Sequence, residues 1–223
     1  KETAAILIET VLGEGGYVVP PTSFMKGLRE ICDKHGIMLI FDEVQSGFGR
    51  TGKWFALEHF DVVPDIITAA QGIASGMPLS GVFTRADIMK KLDTGSIGGT
   101  YGGNAIACAA GVATIRAMRE EKMLENATDK GIQLMTGLRK LQEEYPQIGD
   151  VRGKGLMIGT EFVADGGGHA KTKQLVKDVI HAAEEKNLLL LSCGTYDSTI
   201  RWIPPLNVTS EQINEGLRIF GEA

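Results

Sequence analysis

The chain has 223 residues, of which 43% are hydrophobic and 23% charged, and its net charge is −5. This length suits one large domain or two small ones, and the interleaved acids and bases argue against nucleic acid or a membrane surface as a partner. No apolar run approaches the ~20 residues of a membrane span. The three cysteines are far apart and form no metal or redox spacing, which is typical of a cytoplasmic protein without a metal site. They are Cys32, Cys108 and Cys193.

The first 145 residues alternate apolar runs with helical patterns. The chain opens without an initiator Met and runs at once into an apolar segment, so we interpret it as beginning inside a domain. Alternation of this kind predicts an α/β sheet that is mostly parallel. Thr22 or Ser23 is predicted to cap the first helix, which Gly36 ends. The predicted strands are 4–9, 37–41, 65–69 and 79–83, and the later helices are 104–119 and 124–145.

The pattern changes near Pro146, where we place a domain boundary. Residues 1–145 are then part of a large domain, and residues 146–223 form a small α+β domain. Gly149 to Gly155 is predicted to be a hinge-like loop, and Gly166 to Gly168 a surface turn. In this second part the predicted strands are 156–162, 188–192 and 200–203, and the predicted helices are 172–186 and 210–220.

Three polar features follow predicted strands of the first part. Asp42 and Gln71 come directly after apolar runs, and a Gly-rich segment from Gly98 to Asn104 leads into a helix. Ligands bind at the carboxyl ends of parallel strands, and a Gly-rich loop before a helix can hold phosphate through backbone N–H groups. Each feature also has a structural interpretation, since Asp42 can cap a turn and Gly-rich loops are usually turns. The pattern by itself predicts a ligand site at the strand ends.

Ordered motifs narrow this prediction. The segment from Asp42 to Gly52 reads DEVQSGFGRTG, and later segments read PDIIT, GMPLSG, GTYGGN and GDVRG. These resemble the motifs of class III aminotransferases, which are fold type I enzymes dependent on pyridoxal 5′-phosphate (PLP). The resemblance covers essentially the whole chain and matches the carboxyl-terminal half of the family. Within it the pattern is most similar to 4-aminobutyrate aminotransferases, while ornithine-type and other ω-amino-acid aminotransferases stay open.

The resemblance implies roles for cofactor-binding residues. Asp42 matches the carboxylate that pairs with the pyridine nitrogen of PLP, and Val44 matches a residue that packs on the ring. Gln45 matches a residue that bonds the phenolic oxygen. Thr100 matches the residue that reaches the phosphate of the neighbouring subunit's cofactor, which implies a homodimer with shared active sites.

The resemblance also implies a substrate site. Arg201 matches the arginine that binds a substrate carboxylate, a role that suits a planar guanidinium. Glu14 matches the partner that neutralises this arginine when an ω-amino substrate is bound. The implied reaction moves an amino group from an ω-amino acid such as 4-aminobutyrate to a 2-oxo acid such as 2-oxoglutarate. From the residues alone, Arg201 could form a structural ion pair and Glu14 could be a solvated loop acid.

The sequence departs from the family at its central position, because Gln71 stands where the family has its Schiff-base lysine. An amide has no free amine, so it can neither condense with the cofactor aldehyde nor act as general base. An introduced substitution, a sequencing or assembly difference and a natural loss of catalysis stay open as origins. The family's amino-terminal portion is also absent from this sequence. We therefore expect an inactive chain of an aminotransferase lineage, or alternatively a non-catalytic binding or scaffold chain with the same fold.

Overall fold

A computed structural model describes residues 2–165 and 169–223, so the predicted turn at 166–168 lies outside the described residues. The chain forms two compact units. The first contains residues up to Thr10, Pro20–Gly49 and Lys53–Glu121, and the second contains Val11–Val19, Arg50–Gly52 and Lys122–Ala223. The predicted domains 1–145 and 146–223 stay a prediction. In the described part of the chain, no helix has the length and apolar character to cross a membrane.

The first unit is built on a four-stranded sheet with the order β1-β2-β3-β4. Strands β1, β2 and β3 are parallel, and β4 is antiparallel to β3. The prediction of a mostly parallel α/β sheet is confirmed. The strands are β1 (Ala5–Glu9), β2 (Met38–Asp42), β3 (Ile66–Ala69) and β4 (Gly81–Thr84), and the helices are α1 (Thr22–His35), α2 (Ala86–Met89) and α3 (Ala105–Glu120).

Local backbone conformation explains where helix α1 begins and ends. Helix α1 begins after Pro21, whose carbonyl accepts from the N–H of Phe24 at 3.0 Å, so the prediction that Thr22 or Ser23 caps it is wrong. Proline fits because its fixed φ of −65° already suits this position. Gly36 ends α1 in the left-handed conformation, as predicted.

The second unit holds an antiparallel sheet with the order β5-β6-β8-β7. Its apolar face, with side chains such as Val151, Ile158 and Ile200, packs against helices to form one buried cluster. The strands are β5 (Ile148–Lys154), β6 (Met157–Phe162), β7 (Leu191–Cys193) and β8 (Thr199–Trp202), and the helices are α4 (Met123–Glu144), α5 (His169–Glu185) and α6 (Ser210–Gly221).

The predicted loop from Gly149 to Gly155 is wrong over most of its length, because it forms β5. Gly153 pairs with Ile158 across a tight hairpin, and a Cβ at Gly153 would lie 2.2 Å from the carbonyl oxygen of Met157. Glycines here permit close strand approach as well as a turn, and sequence pattern does not separate these two uses.

Candidate active site

The carboxyl ends of the parallel strands form one edge of the first sheet. Glu9, Asp42 and Thr68 lie opposite one another on β1, β2 and β3. Asp42 is half-buried, and its Oδ1 accepts a hydrogen bond from the N–H of Val44 at 2.9 Å. This is the turn-capping bond that the position alone allows. It also holds the carboxylate of Asp42 in a fixed orientation at the strand end, where the sequence predicts a ligand.

The loop after Asp42 is fixed by a residue to which the sequence assigns no role. Glu43 is completely buried, and its carboxylate accepts bonds from Ser46 Oγ at 2.6 Å and from the N–H groups of Ala56 at 3.0 Å and Leu57 at 2.7 Å. Burial raises the pKa of Glu43, while the bonds from Ser46 and the two backbone groups oppose that rise. Glu43 thereby ties the segment carrying Val44 and Gln45 to a later turn of the chain.

Gln71 begins a short 3-10 turn, Gln71–Ala74, directly after β3. Its backbone is left-handed, with a φ of 48°, and its side chain is exposed. Non-glycine residues adopt this conformation rarely, and such outliers cluster at functional sites. The next residue, Gly72, packs closely on the loop after β2, since a Cβ there would lie 3.3 Å from the Cβ of Phe48.

Gln71 and Thr100 line the same open cavity of about 700 Å³. Gly99, Gly102 and Gly103 line it as well. The predicted Gly-rich segment leads into α3, whose first N–H groups, those of Ile106 and Ala107, bond to the side chain of Asn104 at 3.1 Å. The first unit thus carries Asp42 at the end of β2 and Val44 and Gln45 directly after it, while Gln71 and Thr100 line one cavity. The cross-subunit role of Thr100 stays a prediction.

The two predicted substrate residues meet in the second unit. Arg201 on β8 forms an ion pair with Glu14, and the side chain of Arg201 is 16% exposed while that of Glu14 is 67% exposed. The backbone of Glu14 is held separately, because its carbonyl accepts from the N–H of Gly194 at 2.8 Å. The carboxylate of Glu14 can therefore leave Arg201 while its backbone stays in place.

The segment Val11–Val19, which we call the strap, lies against the second sheet, since a Cβ at Gly159 of β6 would meet the Cβ of Tyr17 at 3.0 Å and the carbonyl oxygen of Gly16 at 3.4 Å. Arg152 holds the strap, since its Nε and Nη2 donate to the carbonyl of Gly16 at 2.9 and 2.6 Å. Arg152 also forms ion pairs with Asp150 and Glu161. The sequence by itself assigns no role to Arg152, although Arg152 lies within the GDVRG motif. Its contact with a residue 136 positions away leaves no local signal.

Comparisons with known proteins agree with this geometry. The chain belongs to the class III aminotransferase family, whose sequence model matches residues 1–223. It is 46% identical over 222 residues both to the 5-aminovalerate aminotransferase of Pseudomonas aeruginosa and to the 4-aminobutyrate aminotransferase of Escherichia coli. Each match covers 100% of this chain and 52% of the relative, so the chain spans about half the length of the curated relatives it matches.

Solved structures agree as well. A transaminase from the marine bacterium Virgibacillus superposes with a TM-score of 0.90 at 34% identity, covering 98% of this chain and 52% of that one. The fold is fold type I, and members of the class III family are PLP-dependent.

Proposed function

We propose that the first unit carries the PLP site, in which Asp42, Val44 and Gln45 hold the cofactor of this chain while Thr100 reaches the phosphate of a partner's cofactor. The residues present fit this group. The oriented, half-buried Asp42 carboxylate suits a protonated ring nitrogen, and Thr100, which lines the cavity, carries a hydroxyl suited to phosphate. When bound, PLP supplies an electron sink for the carbon that carries the amino group. Val44 would pack on the ring, and Gln45 would bond its phenolic oxygen.

The reaction we propose is transfer of an amino group from an ω-amino acid, of the 4-aminobutyrate or 5-aminovalerate type, to a 2-oxo acid such as 2-oxoglutarate. The observation that carries it is the Glu14–Arg201 pair. A 2-oxo acid with a second carboxylate needs the guanidinium of Arg201 as the binding partner of one carboxylate. An ω-amino donor has no carboxylate at that point, so Glu14 compensates the charge of Arg201 instead. We further propose a homodimer in which Thr100 serves the partner's cofactor.

In this sequence Gln71 stops the reaction. Its amide cannot attach the cofactor covalently and cannot carry the proton that an amine at this position would move. We propose that the chain binds PLP without turning it over. The same residue favours the second candidate, a non-catalytic chain that keeps the fold for binding or as a scaffold.

The Gln71→Lys variant tests the proposal. Each protein is incubated with PLP, reduced with borohydride and mapped by peptide mass spectrometry. We expect cofactor attached at residue 71 of the variant. Gln174→Lys, which adds a lysine at an exposed position of α5, is the matched control and should carry no attachment at residue 174.

Transfer from 4-aminobutyrate to 2-oxoglutarate is measured on the same samples. The unmodified chain should show none. Because the chain spans about half the length of its relatives, we expect the lysine variant to attach PLP without reaching full turnover. No attachment at residue 71 would contradict the site assignment. Normal turnover by the unmodified chain would show that an amine elsewhere replaces the Schiff-base lysine that residue 71 lacks.

A further inference from the structure

Tyr17 in the strap combines two unusual features. Its side chain is completely buried, yet its hydroxyl has no hydrogen-bond partner among the described residues. Its backbone is left-handed, with a φ of 56°, which is rare for an aromatic residue. Phenylalanine would fill the same space without burying a hydroxyl, and a buried polar group without a partner needs an explanation. Both features point to a function for the hydroxyl.

The register of the sheet places Tyr17 beside Arg201. A Cβ at Gly159 on β6 would lie 3.0 Å from the Cβ of Tyr17, so Tyr17 covers the side-chain position of Gly159. Gly159 lies opposite Arg201 on β8. Residues directly opposite one another in an antiparallel pair project from the same face, so Tyr17 and the side chain of Arg201 share that face.

The hydroxyl of Tyr17 keeps its proton at neutral pH and can donate a hydrogen bond. Burial raises its pKa to about 12, and among nearby charges Arg201 opposes this rise most. The guanidinium of Arg201 is also only a donor. Its Nη1 is paired with Glu14, whereas its buried Nε has no partner in the described part of the chain. Two buried donors on one face therefore lack an acceptor, and a carboxylate oxygen is the acceptor that suits both.

We propose that Tyr17 is a second carboxylate-binding residue, so that its hydroxyl and the guanidinium of Arg201 together hold one carboxylate of the 2-oxo acid after Glu14 has moved away. This inference rests on the proposed function of Arg201 and adds a specificity residue to it. A carboxylate satisfies both donors with its oxygens, whereas an amino group or an alkyl chain leaves them unpaired. The strained backbone of the strap holds the hydroxyl in place before the substrate arrives.

The test is binding of glutarate, a dicarboxylate without a reactive carbonyl, to the 223-residue chain by isothermal titration calorimetry. Tyr17→Phe removes one hydrogen bond to a charged group, so we expect affinity to fall about tenfold or more. Arg201→Gln should reduce binding further. Tyr145→Phe is the matched control: the hydroxyl of Tyr145 donates to the carbonyl of Gly221 at 2.9 Å, and the affinity of this variant for glutarate should stay unchanged.

The variants also separate the two proposals. If Arg201→Gln weakens binding and Tyr17→Phe does not, the role of Tyr17 is wrong and the carboxylate site stands. If neither variant weakens binding, or the unmodified chain binds no glutarate, both fail. Thermal unfolding followed by circular dichroism distinguishes a purely structural role, because such a role would lower the melting temperature of Tyr17→Phe and leave its affinity for glutarate unchanged.

Discussion

Arg152 on β5 and Arg201 on β8 lie opposite the same residue, Gly159 of the intervening strand β6. Two guanidinium groups therefore flank a position without a side chain. The strap occupies the space above that position, with Arg152 bonded to its backbone and Arg201 paired with Glu14. One arginine fixes the strap, and the other faces an acid that can be displaced.

Glu14→Gln should raise the affinity for glutarate. In the unmodified chain the incoming carboxylate must displace Glu14 from Arg201, and a neutral amide competes less strongly. Because Glu14 is largely exposed, its pair with Arg201 is screened by solvent, and we expect a gain of about two- to fivefold. Calorimetric titration measures it. Glu211→Gln, at an exposed position of α6, should change nothing, and an unchanged affinity in Glu14→Gln would show that Glu14 does not compete.

Gly159→Ala should destabilise the second unit and weaken glutarate binding together. The added Cβ would lie 3.0 Å from both the Cβ of Tyr17 and the Cγ2 of Thr199, so the strap must shift. Overpacking of this kind costs about 1–3 kcal/mol. Urea unfolding and calorimetry measure the two effects. Gly27→Ala is the control, since a Cβ there meets nothing within 4 Å and alanine favours a helix. An equally stable Gly159→Ala variant would contradict the close approach.

Glu43→Gln should destabilise the first unit by about 1–3 kcal/mol in urea unfolding. The carboxylate of Glu43 accepts from three donors with both oxygens. An amide directs its own N–H groups at one or two of these donors, which leaves them buried without an acceptor. Glu30→Gln on the exposed surface of α1 is the control. Equal stability of the two variants would show that the buried carboxylate does not hold the loop.

Asp65 should make the first unit acid-sensitive. Although burial raises its pKa, the bonds from the Leu39 N–H and from Arg29 and Arg85 outweigh this and lower it to about 2. A depressed folded-state pKa contributes stability above the unfolded pKa of about 4 and loses it as pH falls toward 2.

The Asp65→Asn variant tests this contribution. It should unfold about 2 kcal/mol more easily at pH 7, with the difference from the unmodified chain shrinking below pH ~4. Asp61→Asn is the control, because the Asp61 side chain is 98% exposed. Parallel stability curves for Asp65→Asn and the unmodified chain across this pH range would exclude a special role for Asp65.

The sequence predicts the first sheet well, because three of its strands are apolar runs separated by turns and a helix. It does not predict the antiparallel direction of β4, since direction depends on the path of the connection. Asp42 and Gln71 are located by the strands that precede them. The glycine-rich β5 is missed because close strand approach and turns use the same residue type.

The roles of the substrate residues come from resemblance and not from pattern. Glu14 and Arg201 are 187 positions apart, so no local spacing relates them. The roles of Tyr17 and Arg152 depend on register across the second sheet, so no local pattern in the sequence predicts them. A tyrosine after two glycines gives no indication that its hydroxyl will be buried.

The wide separation of Glu14 and Arg201 has a consequence for how the protein is made. The strap is synthesised well before β8, because 187 positions separate Glu14 from Arg201. Bringing together residues so far apart in the sequence has a large entropic cost of loop closure. Such contacts therefore form late in folding. We expect hydrogen-exchange protection at Glu14 to Tyr17 to develop after that of α4, so that nascent chains carry a folded core before they can recognise a carboxylate.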